Sequence, residues 1–166
     1  MKITRRQLRR IIKEELSRSL LREQESRLAK AHAQNMDKLY RLLKGAEKDW
    51  MTSAGTPQGL VDMWNDLKNI YKLVNVYQGL DDERKERKRA GLADAIARHV
   101  MDMKVSLMTE PAQLLNKIKG MFGMSLERGF GPKADDVVDA ITWLVDSPIE
   151  EAAAGEIAET LLDKIA

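Results

Sequence analysis

The sequence predicts an all-α fold, a single helical domain of about five to seven helices that opens with a basic, amphipathic helix. Three observations lead to this prediction. Apolar residues recur in steps of three and four along most of the 166 residues. No stretch alternates apolar and polar side chains as a strand would, and no Asn-Gly or Asp-Gly hairpin signal occurs. Helix-capping residues, prolines and glycines stand where the periodic segments begin and end.

The first helix begins at a capping box. Thr4 and Gln7 have the spacing in which each side chain can satisfy a backbone N–H of the first turn. Ile3 before the cap and Leu8 beyond it have the spacing of a hydrophobic staple. The periodicity predicts that this helix extends to about residue 23, with an apolar face formed by Leu8, Ile11, Ile12, Leu16 and Leu20.

We therefore expect residues 1–25 to form a basic N-terminal arm and residues 26–166 to form the helical domain. A second helix is predicted over 26–51, and residues 52–56 have the composition of a linker. The second helix carries a wide apolar stripe, which suits a helix packed against more than one neighbour. Its members are Leu28, His32, Asn35, Met36, Leu39, Tyr40, Leu42, Leu43, Ala46 and Trp50.

The third and fourth helices have recognisable starts. Thr56 is the expected cap of the third helix, with Pro57 at its first position. The fourth begins near Asp81 and Asp82, whose carboxylates suit the positive end of a helix. Its second half has apolar residues in alternating steps of three and four, namely Ala93, Ile96, Val100, Met103 and Leu107.

The last third of the chain is predicted to hold three shorter helices. Pro111 begins one of them, and the glycine-rich stretch 120–132 is predicted to be a loop. The next spans 133–146. The last helix is expected to begin at Ser147 and Pro148, which combine a cap with a proline at the first position.

The net charge of +2 conceals a separation of charge along the chain. Residues 1–30 carry 10 basic and 4 acidic side chains, whereas residues 134–166 carry 1 basic and 9 acidic side chains. The basic charge thus lies on the arm and the acidic charge on the helices predicted at 133–166. These two regions could hold each other or hold neighbouring copies.

Several classes of function are disfavoured by composition. The absence of Cys excludes disulfides and Cys-based zinc sites. The two histidines, His32 and His99, lie at apolar-facing helical positions and have no evident partner in the sequence, so we interpret both as structural. The sequence therefore predicts no catalytic, cofactor-binding or metal-binding residue and a protein that is not an enzyme. It also has no candidate transmembrane segment, and we expect a soluble, intracellular protein.

The arm is the predicted partner-binding element. It could pack on its own domain, dock on an acidic protein surface, or contact the phosphates of a nucleic acid. It has no aromatic residue that could stack on single-stranded bases. The candidate partner-binding residues are Arg5, Arg6, Leu8, Arg9, Arg10, Ile12 and Lys13.

The first 16 residues, MKITRRQLRRIIKEEL, resemble the openings of many otherwise unrelated proteins of large tailed phages, including marine ones. In T-even-type phages, short amphipathic N-terminal helices direct internal proteins into the prohead, and a head protease cuts after a Leu/Ile-x-Glu step. Ile12-Lys13-Glu14 matches that step, but Glu15 stands where such sites carry a small residue. The resemblance thus implies targeting more than cleavage.

The function predicted from the sequence is that of a non-enzymatic structural or interaction protein, specifically a phage head or virion-associated component that docks through its first helix. The alternative is a nucleic-acid-binding protein that uses the same helix on phosphates. A third interpretation, an enzyme with an unrecognised site, would require a polar pocket around His32 or His99.

Overall fold

The computed structural model describes residues 2–51, 56–124 and 134–164. No strand occurs in those ranges, and the predicted all-α fold is confirmed. Six helices have at least 13 residues, and one short helix, α2, has five. In chain order they are α1 Arg5–Gly45, α2 Glu47–Met51, α3 Gln58–Gln78, α4 Asp82–Met108, α5 Pro111–Met124, α6 Ala134–Asp146 and α7 Glu151–Lys164.

The first helix is longer than the sequence predicts. α1 runs for 41 residues without a break, so the predicted boundary between two helices at residues 24–26 is wrong. The residues there are Gln24, Glu25 and Ser26, and neither Gly nor Pro is present to end the helix. At about 1.5 Å per residue, α1 is about 60 Å long.

The core lies between the second half of α1 and the helices α3, α4, α6 and α7. α3 and α4 pack along each other as a hairpin, and α7 lies against both α4 and α1. Trp64 of α3 is fully buried and has Tyr40 of α1 and Trp50 of α2 as aromatic neighbours. The largest fully buried side chains include Met36, Leu39, Leu43, Met63, Leu67, Ile96, Met103 and Ile141.

Two predicted helix starts are displaced. α3 begins at Gln58 with Pro57 as its N-cap, and the hydroxyl of Thr56 donates to the carbonyl of Trp50 (2.6 Å). α7 begins at Glu151 and not at Ser147. The backbone N–H of Ser147 donates to the carbonyl of Trp143 (2.8 Å), so this residue belongs to the end of α6.

The other boundaries follow the sequence more closely. α4 begins as predicted, with the Asp81 side chain accepting from the backbone N–H of Arg84 (2.8 Å). α5 begins at Pro111 but continues through Gly120 to Met124, where a loop was predicted. An isolated glycine costs a helix only about 1 kcal/mol, so it does not by itself end one. The rest of the predicted loop, 125–132, and most of the predicted linker at 52–56 lie outside the described residues.

Within the described ranges, none of the helices combines the length and the apolar character that crossing a membrane requires.

Candidate functional site

The first half of α1 extends beyond the bundle. Every side chain from residue 2 to residue 25 is exposed, and the first buried residue of the helix is Ala29. We call residues 2–25 the arm. The predicted capping box is present, since the backbone N–H of Thr4 donates to Gln7 Oε1 (3.0 Å) and that of Gln7 to Thr4 Oγ1 (3.2 Å). The arm is therefore an ordered helix that does not pack on its own domain.

The large apolar side chains that are exposed to solvent are concentrated on the arm. Of the ten exposed large hydrophobic residues among the described ones, seven lie in the arm, and Leu16 is 60% exposed. The bundle contributes only Leu28, Val76 and Val105 to this group. The seven arm residues are Ile3, Leu8, Ile11, Ile12, Leu16, Leu20 and Leu21.

Most of these apolar residues share one side of the helix. At about 100° per residue, Leu8, Ile12 and Leu16 lie on that side, with Ile11 and Leu20 at its edges. We call these five residues the arm stripe. It is turned about a third of a turn away from the face that α1 buries in the bundle. The same side and its adjoining flank carry the basic residues Arg5, Arg6, Arg9, Arg10 and Lys13.

The arm's charges are not neutralised by the acidic helices. Its ion pairs are local, Arg10 with Glu14 (3.2 Å) and Arg18 with Glu15 (3.7 Å). In the part of the chain that the structure describes, no ion pair joins the arm to another helix. Of the arrangements left open by the sequence, packing of the arm on its own acidic region is therefore not the one observed.

The acidic helices instead form ion pairs with the bundle. Arg89 of α4 donates to the carboxylates of Glu159 and Asp163 on α7, the latter at 2.8 Å. Its guanidinium also donates to the hydroxyl of Tyr77 (3.0 Å). Lys38 of α1 lies 3.9 Å from Asp136 of α6. Much of the acidic charge of α6 and α7 remains exposed to solvent.

His32 fixes the base of the arm to the bundle. Its side chain is fully buried. Its ring nitrogens lie 2.9 Å from the carbonyl oxygen of Leu28 and 2.8 Å from that of Ser147. The ring also packs against Trp143, with 4.8 Å between centroids. The helix that continues into the arm is thus held against the connection between α6 and α7.

His99 has partners that the sequence did not reveal. Its Nδ1 lies 3.6 Å from Oδ1 of Asp66 on α3, and Asp102 is one turn further along α4. One potential metal-ligand atom from each of the three residues lies within 4.8 Å of the other two. Only the spacing of His99 and Asp102 was visible in the sequence, because Asp66 reaches them through the pairing of α3 with α4.

The surroundings of Asp66 in this cluster disfavour its ionised form. Burial raises the pKa of Asp66, and repulsion by Asp102 and Asp62 adds to the rise, while the interaction with His99 lowers it. None of the ion pairs among the described residues brings a Lys or Arg to these three aspartates. Among the described residues, His99 is therefore the one basic side chain within ion-pair distance of these carboxyl groups.

An open cavity of about 440 Å³ lies beside this cluster, between α3, α4 and α5. Asp62 lines its edge and accepts a hydrogen bond from Gln58 Nε2 (2.9 Å). The remaining polar lining comes from Ser106, Thr109, Glu110, Gln113 and Lys117. Asp62 is the residue shared between this cavity and the group of aspartates around Asp66.

No protein-family model matches the chain, and comparisons with curated proteins and with solved structures found no similar protein.

Proposed function

We propose that this is a non-enzymatic interaction protein that docks through its arm onto a protein partner. The partner surface that fits is an apolar groove with carboxylates along one rim. The observation that carries the proposal is the arm stripe, a row of large apolar side chains left exposed on an ordered helix. Concentrations of exposed apolar residues on soluble proteins mark interaction sites.

The arm stripe has the spacing of a helix that binds in a groove. Such helices present apolar anchors at steps of three and four, as Leu8, Ile12 and Leu16 do with Ile11 and Leu20. Covering the exposed half of one Leu or Ile side chain contributes about 1 kcal/mol. The five residues together supply on the order of 5 kcal/mol before the entropy lost on association.

The basic flank defines the chemistry of the rim. Arg6, Arg9 and Lys13 make no ion pair among the described residues and lie beside the arm stripe. A partner with carboxylates at the edge of its groove would be attracted to this flank, which favours rapid association and selects the orientation of the helix.

Residues 1–16 resemble the N-terminal segments of tailed-phage proteins, and this resemblance indicates what the partner is. Residues 2–16 of that segment all lie in the exposed arm. We infer that the partner is a component of a phage head and that this protein is a virion-associated or head protein. Cleavage after Glu14 is not part of the proposal.

Binding of the arm to nucleic acid uses the same basic residues. Phosphate contacts alone would not require a row of large apolar side chains beside the arginines, and those side chains favour a protein groove. Nucleic-acid binding, or pairing of arms between two copies, would overturn the proposal.

The test compares three forms of the full chain. The triple variant L8A/I12A/L16A removes the arm stripe while preserving helix propensity, and circular dichroism verifies that helix content is retained. The double variant V76A/V105A is the matched control, because Val76 is 53% and Val105 64% exposed outside the arm. Cross-linked complexes from a lysate of the source are quantified by mass spectrometry, and the partner so identified is purified for calorimetry.

We expect one defined partner that binds the wild-type protein and V76A/V105A equally and the triple variant at least tenfold more weakly. Equal binding by all three forms would refute docking through the arm. A dimer seen by light scattering and abolished in the triple variant would make the occupant a second copy. Retention on DNA or RNA with a steep loss of affinity against the logarithm of salt concentration would establish the nucleic-acid alternative.

A further inference from the structure

The cluster formed by Asp66, His99 and Asp102 has the geometry of a cation site. His99 and Asp102 lie one turn apart on α4, so both side chains leave the same face of the helix. Asp66 lies opposite them on α3. A donor atom from each residue already lies within 4.8 Å of the other two without any ion present.

The imidazole supplies the strongest indication. Nδ1 of His99 is buried and makes no hydrogen bond, although the side chain as a whole is 31% exposed. Its separation of 3.6 Å from Asp66 Oδ1 is too long for a hydrogen bond. Buried polar atoms are nearly always hydrogen-bonded, so a ring nitrogen that faces a carboxylate only at this longer distance needs an explanation. A neutral imidazole nitrogen is a common metal ligand.

The surrounding charge points in the same direction. Asp66 is partly buried, Asp62 precedes it by about one turn on α3, and Asp102 faces it from α4. No Lys or Arg forms an ion pair with any of them in the described ranges. A divalent cation would offset this excess of negative charge on the three aspartates.

We propose that Asp66, His99 and Asp102 bind one first-row divalent transition-metal cation, such as Zn²⁺, between α3 and α4. One imidazole nitrogen with two carboxylate oxygens is a donor set that suits Zn²⁺ and its neighbours. Mg²⁺ and Ca²⁺ prefer sites built from oxygen atoms alone. This proposal is independent of the docking function of the arm.

The donors need only a small adjustment to close on an ion. Tetrahedral ligands about 2.0–2.1 Å from Zn²⁺ lie about 3.3 Å from one another. The Asp102 side chain is exposed, so it can change rotamer without disturbing the core. Water would complete the coordination sphere from the solvent-exposed side of the cluster, at Asp102. The bound ion would link α3 to α4 and stabilise the folded protein in proportion to its occupancy.

Histidine resonances provide a direct readout, because the chain contains only two histidines. Untagged protein is treated with EDTA, freed of the chelator and titrated with Zn²⁺ at pH 7.5. The imidazole signals are followed by NMR, and the heat of binding by calorimetry. The variant H99Q assigns the responding signal, and the buried His32 acts as the internal reference.

We expect a single equivalent of Zn²⁺ to shift the His99 signals, to leave those of His32 in place and to raise the melting temperature. D66N and H99Q should each weaken Zn²⁺ binding at least tenfold. D94N is the matched control, since Asp94 is an exposed aspartate of α4, and it should bind like the wild type. Co²⁺ should give visible absorption bands with the wild type and D94N but not with H99Q.

Three outcomes would overturn the proposal. One is the absence of binding or a response of His32 alone. Another is equal binding by wild type, D66N and H99Q, which would show that Zn²⁺ occupies other surface carboxylates. The third is binding of Mg²⁺ as tightly as Zn²⁺, which would make the cluster a site for hard cations. Circular dichroism of each variant verifies that a loss of binding is not a loss of fold.

Discussion

The Nε2 atom of His32 lies 2.8 Å from the carbonyl oxygen of Ser147, a residue 115 positions later in the chain. This contact joins the middle of α1 to the connection between α6 and α7. Asn35 adds a second link one turn further on, through a hydrogen bond from its side-chain amide to the carbonyl of Ala140 (3.0 Å). The 41-residue helix is thus fixed to the bundle just after the arm ends at residue 25.

Replacing His32 with Leu should destabilise the protein by about 1–3 kcal/mol, because the partly buried carbonyl of Ser147 would lose its hydrogen-bond partner. Equilibrium unfolding in urea measures the change. Gln34→Leu is the control, since that neighbour is exposed and should alter stability by less than about 0.5 kcal/mol. Equal effects of the two substitutions would mean that the His32 contact contributes nothing specific.

Leucines on the two halves of α1 should respond very differently to truncation. Leu39 is fully buried and Leu16 is 60% exposed. Leu39→Ala should lower the free energy of unfolding by about 2–5 kcal/mol. Leu16→Ala should change it by less than about 0.5 kcal/mol. A large effect of Leu16→Ala on the isolated protein would contradict the exposure of the arm.

Arg89 should be sensitive even to a conservative change. Its guanidinium contacts Tyr77, Glu159 and Asp163 at once, which a single lysine ammonium cannot reproduce. Arg89→Lys should destabilise the protein by about 1 kcal/mol, since the pairs are partly screened by solvent. Hydrogen exchange should become faster in α7. Arg87→Lys, at an exposed position of the same helix, should leave both measurements unchanged.

The pH dependence of stability should reveal Asp66. Because burial and neighbouring aspartates raise its pKa, the folded protein holds this proton more tightly than the unfolded chain does. Ionisation of Asp66 therefore reduces stability as the pH rises from about 4 towards its folded pKa and beyond, up to a plateau. In a metal-chelating buffer, D66N should gain stability relative to the wild type between pH 4 and pH 7.5.

The control for that experiment is D94N, whose stability relative to the wild type should show no comparable trend. If D66N instead loses stability relative to the wild type as the pH rises, the attraction between Asp66 and His99 outweighs burial. The slope of the curves, measured by thermal or urea unfolding at each pH, distinguishes the two cases.

Local chemistry accounts for what could be predicted. The Thr4–Gln7 capping box and the start of α4 near Asp81 are confirmed, because helix starts depend on residues within one turn of each other. The all-α fold is confirmed because helical periodicity is a property of each segment. His32 is more deeply buried than a boundary histidine, because its helical face is apolar on both sides of it.

Some helix boundaries could not be predicted, because local signals for a helix start compete with contacts made by distant parts of the chain. Ser147 and Pro148 have the pattern of a helix start. However, the backbone N–H of Ser147 donates to the last turn of α6, and its carbonyl oxygen accepts from the His32 ring. Residues 24–26 separate two different apolar faces without breaking the helix that carries them. The partner-binding roles of Arg5, Arg6, Leu8, Arg9, Arg10, Ile12 and Lys13 stay predictions.

By itself, the sequence determined that the chain is helical, where most helices begin, and that the first one is basic and amphipathic. Only the tertiary structure decided which apolar faces are covered. The face that begins at Ala29 packs into the bundle, whereas the arm stripe is left exposed. It likewise decided that Asp66 meets His99. The physical reason is that periodicity and capping depend on residues a few positions apart, whereas burial and long-range pairing depend on how whole helices pack together.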